Sequence, residues 1–203
     1  MSDFRLYFVT DRTQTNGRPL VEVVHAALDG GLQTVQLREK DLEGGELYRL
    51  ASALRELTAR YQARLFVNDR LDVALAVEAD GVHLGQASVP VSTARQLLGP
   101  GKLIGVSTHS LDEITAAAGA DFLLFGPVYF TPSKAEYGAP QGVERLRSAV
   151  LHSPAPVFAI GGIKQAQIPE LLDVGAHGIG VITAISAAPD PAQATRQLLE
   201  QMR

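Results

Sequence analysis

Short apolar runs alternate with amphipathic stretches from one end of the chain to the other, and the two periods predict strands and helices in turn. Leu6 to Val9 (LYFV) reads as a first strand, closed by Thr10-Asp11-Arg12. Pro19 stands where a helix starts; Leu20, Val23, Val24, Ala27 and Leu28 share one helical face, and Gly30-Gly31 ends it. Thr34 to Leu37 is a second strand, followed by a helix through Leu47, Leu50, Ala51, Leu54 and Leu57 up to Tyr61. The third and fourth strands are Leu65 to Val67 and Val82 to Leu84, separated by a short helix at Val73, Ala74 and Val77. Pro90 opens a helix through Leu98. Leu103 to Val106 is a fifth strand, and Ser110 with Glu113 has the spacing of a capping box for the next helix.

Phe122 to Phe125 is a sixth strand. The longest irregular stretch, Val128 to Gln141, precedes a helix from about Gly142 to Leu151. Val157 to Ile160, a short helix at Leu171, Leu172 and Val174, Ile179 to Ile182, and a last helix from Pro191 to Met202 complete the series. Strands separated by single helices pair in parallel, and eight such units favour closure. The predicted fold is a single-domain α/β protein, a (β/α)8 TIM barrel spanning residues 1–203, preferred over an open doubly wound sheet, which needs fewer units.

Polar residues gather where strands end. The second strand runs into Arg38, Glu39 and Lys40, a cluster that a buried strand interior cannot carry, because unpaired buried charge is too costly. The other strand ends give Thr10-Asp11, Asn68-Asp69-Arg70, Gly85-Gln86, Ser107-Thr108-His109, Gly126-Pro127, Gly161-Gly162 and Ile182-Thr183, whereas the strand starts are bland. In a barrel the carboxyl ends form the active face. Gly161-Gly162 and Ile182-Thr183 follow the last two strands, where barrels often bind phosphate; a tight βα turn alone also explains the glycines, but their position in the barrel favours phosphate. Arg38, Lys40 and Lys134 suit a diphosphate, with Asn68 adding a hydrogen bond and Asp69 a hard oxygen for Mg²⁺. Lys134 lies in the irregular stretch 128–141, which has the length of a closing lid. His109 fits either a general acid–base or a polar cap, His83 reads as structural, and Gln86 and Ser107 suit pyrimidine or amide contacts.

Composition narrows the class. The chain has 203 residues, 46% of them hydrophobic, enough for a full core. Its net charge of −4 gives no basic excess for nucleic acid or an anionic membrane, so an anion site has to be local. The absence of cysteine excludes disulfides, thiolate metal sites and a cysteine nucleophile, and fits a cytoplasmic protein. MSDFRLYFVTD lacks the apolar core of a signal peptide, and no run is long enough to span a bilayer.

The ordered motifs QLREK, NDR, ADGVHLGQ, IGVSTHS, GP-V-Y-x-T-P-SK and AIGGI resemble those of the thiamine phosphate synthase and TenI (thiazole tautomerase) superfamily, from about Tyr7 to the last helix. The resemblance implies a transferase of thiamine biosynthesis that joins hydroxymethylpyrimidine diphosphate to thiazole phosphate with loss of diphosphate. It implies Arg38, Lys40, Asn68 and Lys134 on the diphosphate, Asp69 on Mg²⁺, and Gln86 and Ser107 near the pyrimidine. Gly162, Ile182 and Thr183 fall on the thiazole phosphate, with Gly161 beside them. Gln36 and Thr131, inside the same motifs, join the substrate-binding set, and Ser107 and His109 the catalytic one. The implied partners are these small molecules; a homo-oligomer is compatible with the sequence.

Two departures stand out. Synthases usually carry a second Mg²⁺-binding aspartate in a GQ-x-D pattern, whereas this chain has Gly85-Gln86-Ala87-Ser88. Ser88 is a neutral, weaker ligand, so lower Mg²⁺ affinity is expected. Gln167 stands where an asparagine is common. The alternatives are a TenI-like tautomerase, with His109 as base, and a non-catalytic thiazole phosphate-binding protein. The retained Arg38, Lys40, Asn68, Asp69 and Lys134 favour the synthase.

Overall fold

The computed structural model describes residues 4–131 and 139–203. Eight parallel strands close into one barrel in chain order, the first pairing with the last. They are β1 (Leu6–Val9), β2 (Thr34–Leu37), β3 (Arg64–Asn68), β4 (Gly81–Leu84), β5 (Leu103–Thr108), β6 (Phe122–Phe125), β7 (Val157–Ile160) and β8 (Gly178–Val181). The helices between and after them are α1 (Leu20–Asp29), α2 (Gly44–Arg60), α3 (Leu71–Ala76), α4 (Val91–Leu98), α5 (Leu111–Ala116), α6 (Gly142–His152), α7 (Ile168–Asp173), α8 (Thr183–Ser186) and α9 (Pro191–Glu200). The TIM-barrel expectation is borne out. None of the described helices is long and apolar enough to cross a membrane.

Strand alternation divides the apolar residues into two cores. Val35, Leu37, Leu65, Val67, Val82 and Leu84 face outward into the layer shared with the helices. Phe4, Tyr7, Val9, Phe66, Phe122, Leu124 and Phe158 fill the barrel interior. The Phe4 and Phe158 rings stack at 5.2 Å, while Phe122 meets Phe4 edge-on at 5.5 Å. This aromatic filling makes the interior a packed core, and leaves the polar inward positions to the layer above it.

The amino ends of the strands carry structural ion pairs. Asp80 accepts from the Leu65 N–H and pairs with Arg55 at 2.5 Å; Asp121 accepts from the Ile104 N–H and pairs with Arg95 at 2.5 Å. The Ala-Asp-Gly and Gly-Ala-Asp lead-ins therefore do more than stop helices: each aspartate satisfies the N–H of the second residue of the preceding strand and ties a helix to it.

Some boundaries differ from the sequence reading. Pro19 caps α1 from outside, and the first helical residue is Leu20. β5 continues through Ser107 and Thr108. Ile182 is not a strand residue; it caps α8, a four-residue helix too short to show a periodicity. Ser110 accepts from the Glu113 N–H as expected of a cap, but the Glu113 carboxylate turns to His109, so the capping box is only half formed.

Candidate active site

The carboxyl end of β2 is built by an inward–outward alternation. Gln36 is buried and projects inward, and two residues on Arg38 occupies the same side at the rim. Gln36 Nε2 donates to Asn68 Oδ1 at 2.9 Å, fixing the Asn68 amide so that its Nδ2 donates to Asp69 Oδ2 at 2.8 Å. Asp69 has φ of +59°, a left-handed conformation that aspartate and asparagine tolerate better than most residues. Its other oxygen accepts from the Gly85 N–H at 3.3 Å and from the Ser88 hydroxyl. The Gly85 N–H is shared with Ser88 Oγ at 2.7 Å. Gln36, Asn68, Asp69 and Ser88 thus form one hydrogen-bonded chain across β2, β3 and the turn after β4.

Cations face this chain. Among the described residues, neither the Arg38 guanidinium nor the Lys40 ammonium makes a hydrogen bond or ion pair. Lys40, Asn68, Asp69 and Arg70 line a cleft of about 260 Å³ together with Leu37, Glu39, Leu42 and Leu47. A wider groove of about 640 Å³ beside α1 also holds arginines. Its Arg12 is committed to Asp41 at 2.7 Å, and its Arg18 to the carbonyls of Thr15, Ser186, Ala188 and Pro189, so it presents no free cation set.

Glu39, the acid of the charged cluster that ends β2, is buried and supports its neighbours. It accepts from Thr10 Oγ1 at 2.7 Å and from the Arg12 N–H at 3.1 and 3.2 Å, while Thr10 Oγ1 accepts from the Arg38 N–H. Burial pushes its pKa up, opposed by the hydrogen bonds from Thr10 and Arg12. The clip joins the ends of β1 and β2 and aims the backbone that carries Arg38 and Lys40. Glu39→Ala leaves Thr10 and Arg12 donors unmatched and is expected to destabilise the fold by about 1–3 kcal/mol. Denaturant unfolding checks this, and a midpoint equal to the parent's would refute it.

Next along the rim, after β4 and β5, Glu113 collects three donors on Oε2: the His109 N–H at 2.6 Å, His109 Nδ1 at 3.0 Å and Gln86 Nε2 at 3.0 Å. Gln86 Nε2 also donates to the Ser107 carbonyl at 2.7 Å, which leaves Oε1 of Gln86 as an acceptor. Ser107 Oγ lies 2.9 Å from Nε2 of the buried His83. Desolvation lowers the His83 pKa to about 3, with Asp69 acting upward and Arg38 downward, so His83 senses both charges of the rim. Glu113 and His83 were missed as site residues. Glu113 was read only as a cap, and His83 looked structural because it stands inside a strand.

Gly161 and Gly162 have φ of +100° and +65°, and a Cβ on Gly162 would meet the Phe130 carbonyl oxygen at 2.4 Å. Their close approach is to the loop after β6, whose Tyr129 N–H donates to the Gly161 carbonyl at 3.0 Å. Ile182 and Thr183 begin α8 nearby in the chain order of the barrel. Thr131 is part-exposed at the end of the described part of that loop. Lys134 and the middle of the expected lid, residues 132–138, lie outside the described residues.

A parallel eight-stranded barrel with unpaired cations, an ordered carboxylate and aligned amides at its carboxyl rim defines a barrel enzyme for small anionic substrates. The family model for thiamine monophosphate synthase matches residues 6–185. A Geobacter sulfurreducens relative is 55% identical over 97% of this chain and 93% of its own. The thiamine-phosphate synthase of Chloroflexus aurantiacus is 47% identical over 97% of this chain and 91% of its own. The thiamine phosphate pyrophosphorylase structure from Pyrococcus furiosus superposes with a TM-score of 0.87 at 42% identity, covering 97% of this chain and 94% of the other. The chain belongs to the thiamine monophosphate synthase family, and its function is that of a thiamine-phosphate synthase in thiamine biosynthesis.

Proposed function

We propose that the chain joins a hydroxymethylpyrimidine diphosphate to a thiazole phosphate and releases diphosphate. The pyrimidine methylene–oxygen bond breaks with its electron pair leaving on the diphosphate, and the thiazole nitrogen lone pair forms the new C–N bond. No proton has to be removed for that exchange. The demand is for positive charge around the leaving group, placed where charge develops. Arg38, Lys40 and Lys134 meet it, with Asn68 as an additional donor. The observation that carries this reading is the pair of cations, Arg38 and Lys40, without partners among the described residues, on the same strand end as Gln36, which begins the Gln36–Asn68–Asp69–Ser88 chain. Gln86 and Ser107 contact the pyrimidine, and the N–H groups of Gly162, Ile182 and Thr183 hold the thiazole phosphate, since the first N–H groups of a helix lack intrahelical acceptors.

The donor set fits Mg²⁺ as a site completed by substrate. Asp69 and Ser88 are hard oxygen donors, but no group of three or more metal-ligating residues occurs among the described residues. Mg²⁺ commonly takes one or two carboxylates with substrate phosphates and water supplying the rest. When bound, it would neutralise part of the charge on the leaving diphosphate. Asp69 and Ser88 orient that donor pair, and Gln36 and Asn68 hold Asp69 in place.

The direct test is formation of thiamine phosphate by purified protein given both substrates and Mg²⁺. A folded protein that makes none would sink the proposal. Ser88→Asp restores the second acid beside Asp69 and is expected to lower the Mg²⁺ concentration for half-maximal rate by about tenfold. A half-maximal concentration that does not move would show that Ser88 is not in the metal site.

A further inference from the structure

A buried polar relay runs beneath the rim, and the bond exchange just described does not use it. Tyr7 OH lies 3.3 Å from His83 Nδ1, and His83 Nε2 lies 2.9 Å from Ser107 Oγ. Tyr7 and His83 are both essentially inaccessible, and Phe4, Phe66, Phe122 and Phe158 surround the Tyr7 ring. The slot is built for the imidazole. A Cβ on Gly105 would come within 2.6 Å of His83 Nδ1 and 2.3 Å of Phe122 Cζ, so only glycine leaves room for both rings.

Both groups sit in a slot closed to water, where a charge without a partner is costly, so the phenol keeps its proton and the imidazole carries only one. Two tautomers are then available. With the proton on Nδ1, the Tyr7 oxygen would accept, and its own hydrogen would point into aromatic rings. Among the described residues, His83 Nδ1 is the hydrogen-bond partner of Tyr7 OH. With the proton on Nε2, Tyr7 donates to Nδ1 and His83 donates to Ser107. Every buried hydrogen is then matched, and an unmatched buried donor is the costlier defect. Ser107, already accepting, has its own hydrogen left to give.

We propose that Tyr7 and His83 act as positioning residues that fix Ser107 as a hydrogen-bond donor, so that it selects a ring acceptor such as an unprotonated pyrimidine nitrogen over an amino group. The proposal rests on the reading of this wall as the pyrimidine site. Its first test does not: ¹⁵N NMR of the imidazole in the free protein, with the His83 signals assigned by their loss in His83→Gln. A proton on Nε2 is expected at neutral pH, and a proton on Nδ1 would overturn the relay whether or not the protein forms thiamine phosphate. Tyr7→Phe preserves the ring packing but replaces a matched Nδ1 by an unmatched one, so the preference for Nε2–H is expected to narrow and the Nδ1–H share to rise above the parent's; a tautomer ratio equal to the parent's would remove Tyr7 as a determinant. The last test replaces either ring nitrogen of the pyrimidine by CH. One of the two analogues is expected to bind about tenfold more weakly to the parent protein, with that difference lost in Ser107→Ala. Equal binding of both analogues and the pyrimidine to the parent protein would overturn the donor role.

Discussion

Asp69→Asn is expected to lower kcat/KM by about two to three orders of magnitude while leaving the barrel folded. The substitution isolates charge. Asparagine tolerates the +59° φ at this position, whereas alanine would add backbone strain to the loss of the carboxylate. The side-chain amide also cannot reproduce the pattern around it. Asp69 accepts on both oxygens, from Asn68 Nδ2 on one and from Gly85 N–H and the Ser88 hydroxyl on the other. An NH₂ group meets the Asn68 Nδ2 donor on one side and the Gly85 N–H on the other, so one of these contacts is lost and the order of the rim with it. The leaving diphosphate then loses both the one carboxylate able to hold Mg²⁺ in this chain of residues and the alignment of its neighbours. Steady-state kinetics with Mg²⁺ varied checks the claim. A drop in kcat/KM that added Mg²⁺ fully reverses would place Asp69 in metal affinity alone, and no drop would remove it from the site.

The sequence located that aspartate because of where it stands, and the same rule explains what was found and what was not. In a parallel barrel the interior cannot hold unpaired charge, so charged residues that follow an apolar run mark the strand's exit. That argument placed Arg38, Lys40, Asn68 and Asp69 on one rim, and β1, β2, β6 and β7 have the boundaries that the apolar runs predicted. It failed where polarity sits inside a strand. Ser107 belongs to β5 because the barrel's upper interior layer is polar and a strand can reach into it, and Thr108 follows on the outward face shared with Ile104 and Val106. His83 was hidden for the same reason: its partners, Tyr7 and Ser107, lie 76 and 24 residues away, and a single chain carries no local sign of such pairs. Glu113 has a local role as well as a distant one. Its place in the first turn of α5 advertised a cap, while its carboxylate serves His109 and Gln86. The glycines after β7 illustrate the opposite case. Their positive φ was legible as a tight turn, but what they approach, the loop after β6, depends on packing between adjacent strands.

The largest pH effect on stability is expected from His83. Its folded pKa of about 3 lies below the ordinary value near 6.5, so the unfolded chain binds a proton that the folded barrel refuses. Stability from this group is complete above pH 6.5 and is lost as pH falls from there toward about 3, at roughly 1.4 kcal/mol per unit. Between pH 6.5 and 4.5 that amounts to about 2 kcal/mol, because the unfolded histidine is already half protonated at pH 6.5. Glu39 works the other way. Burial raises its pKa, so in the range above the ordinary glutamate value the folded state holds the extra proton, and acidification favours folding. Asp41 and Asp72, whose pKa values are lowered by hydrogen bonds from Arg12 and Arg70, lose their contributions in acid as His83 does. A wild-type pH profile therefore mixes three sources, and a variant has to separate them. His83→Gln cannot take up a proton in this range. Its absolute stability changes with the loss of the imidazole packing against Tyr7 and Phe122, but its pH slope reports the proton alone. Denaturant unfolding of both proteins at pH 6.5 and 4.5 is expected to show the parent losing about 2 kcal/mol more than the variant across that interval. Equal losses in the two proteins would mean that the barrel admits a charged imidazole, and would take with them the single-proton state on which the orientation of Ser107 depends.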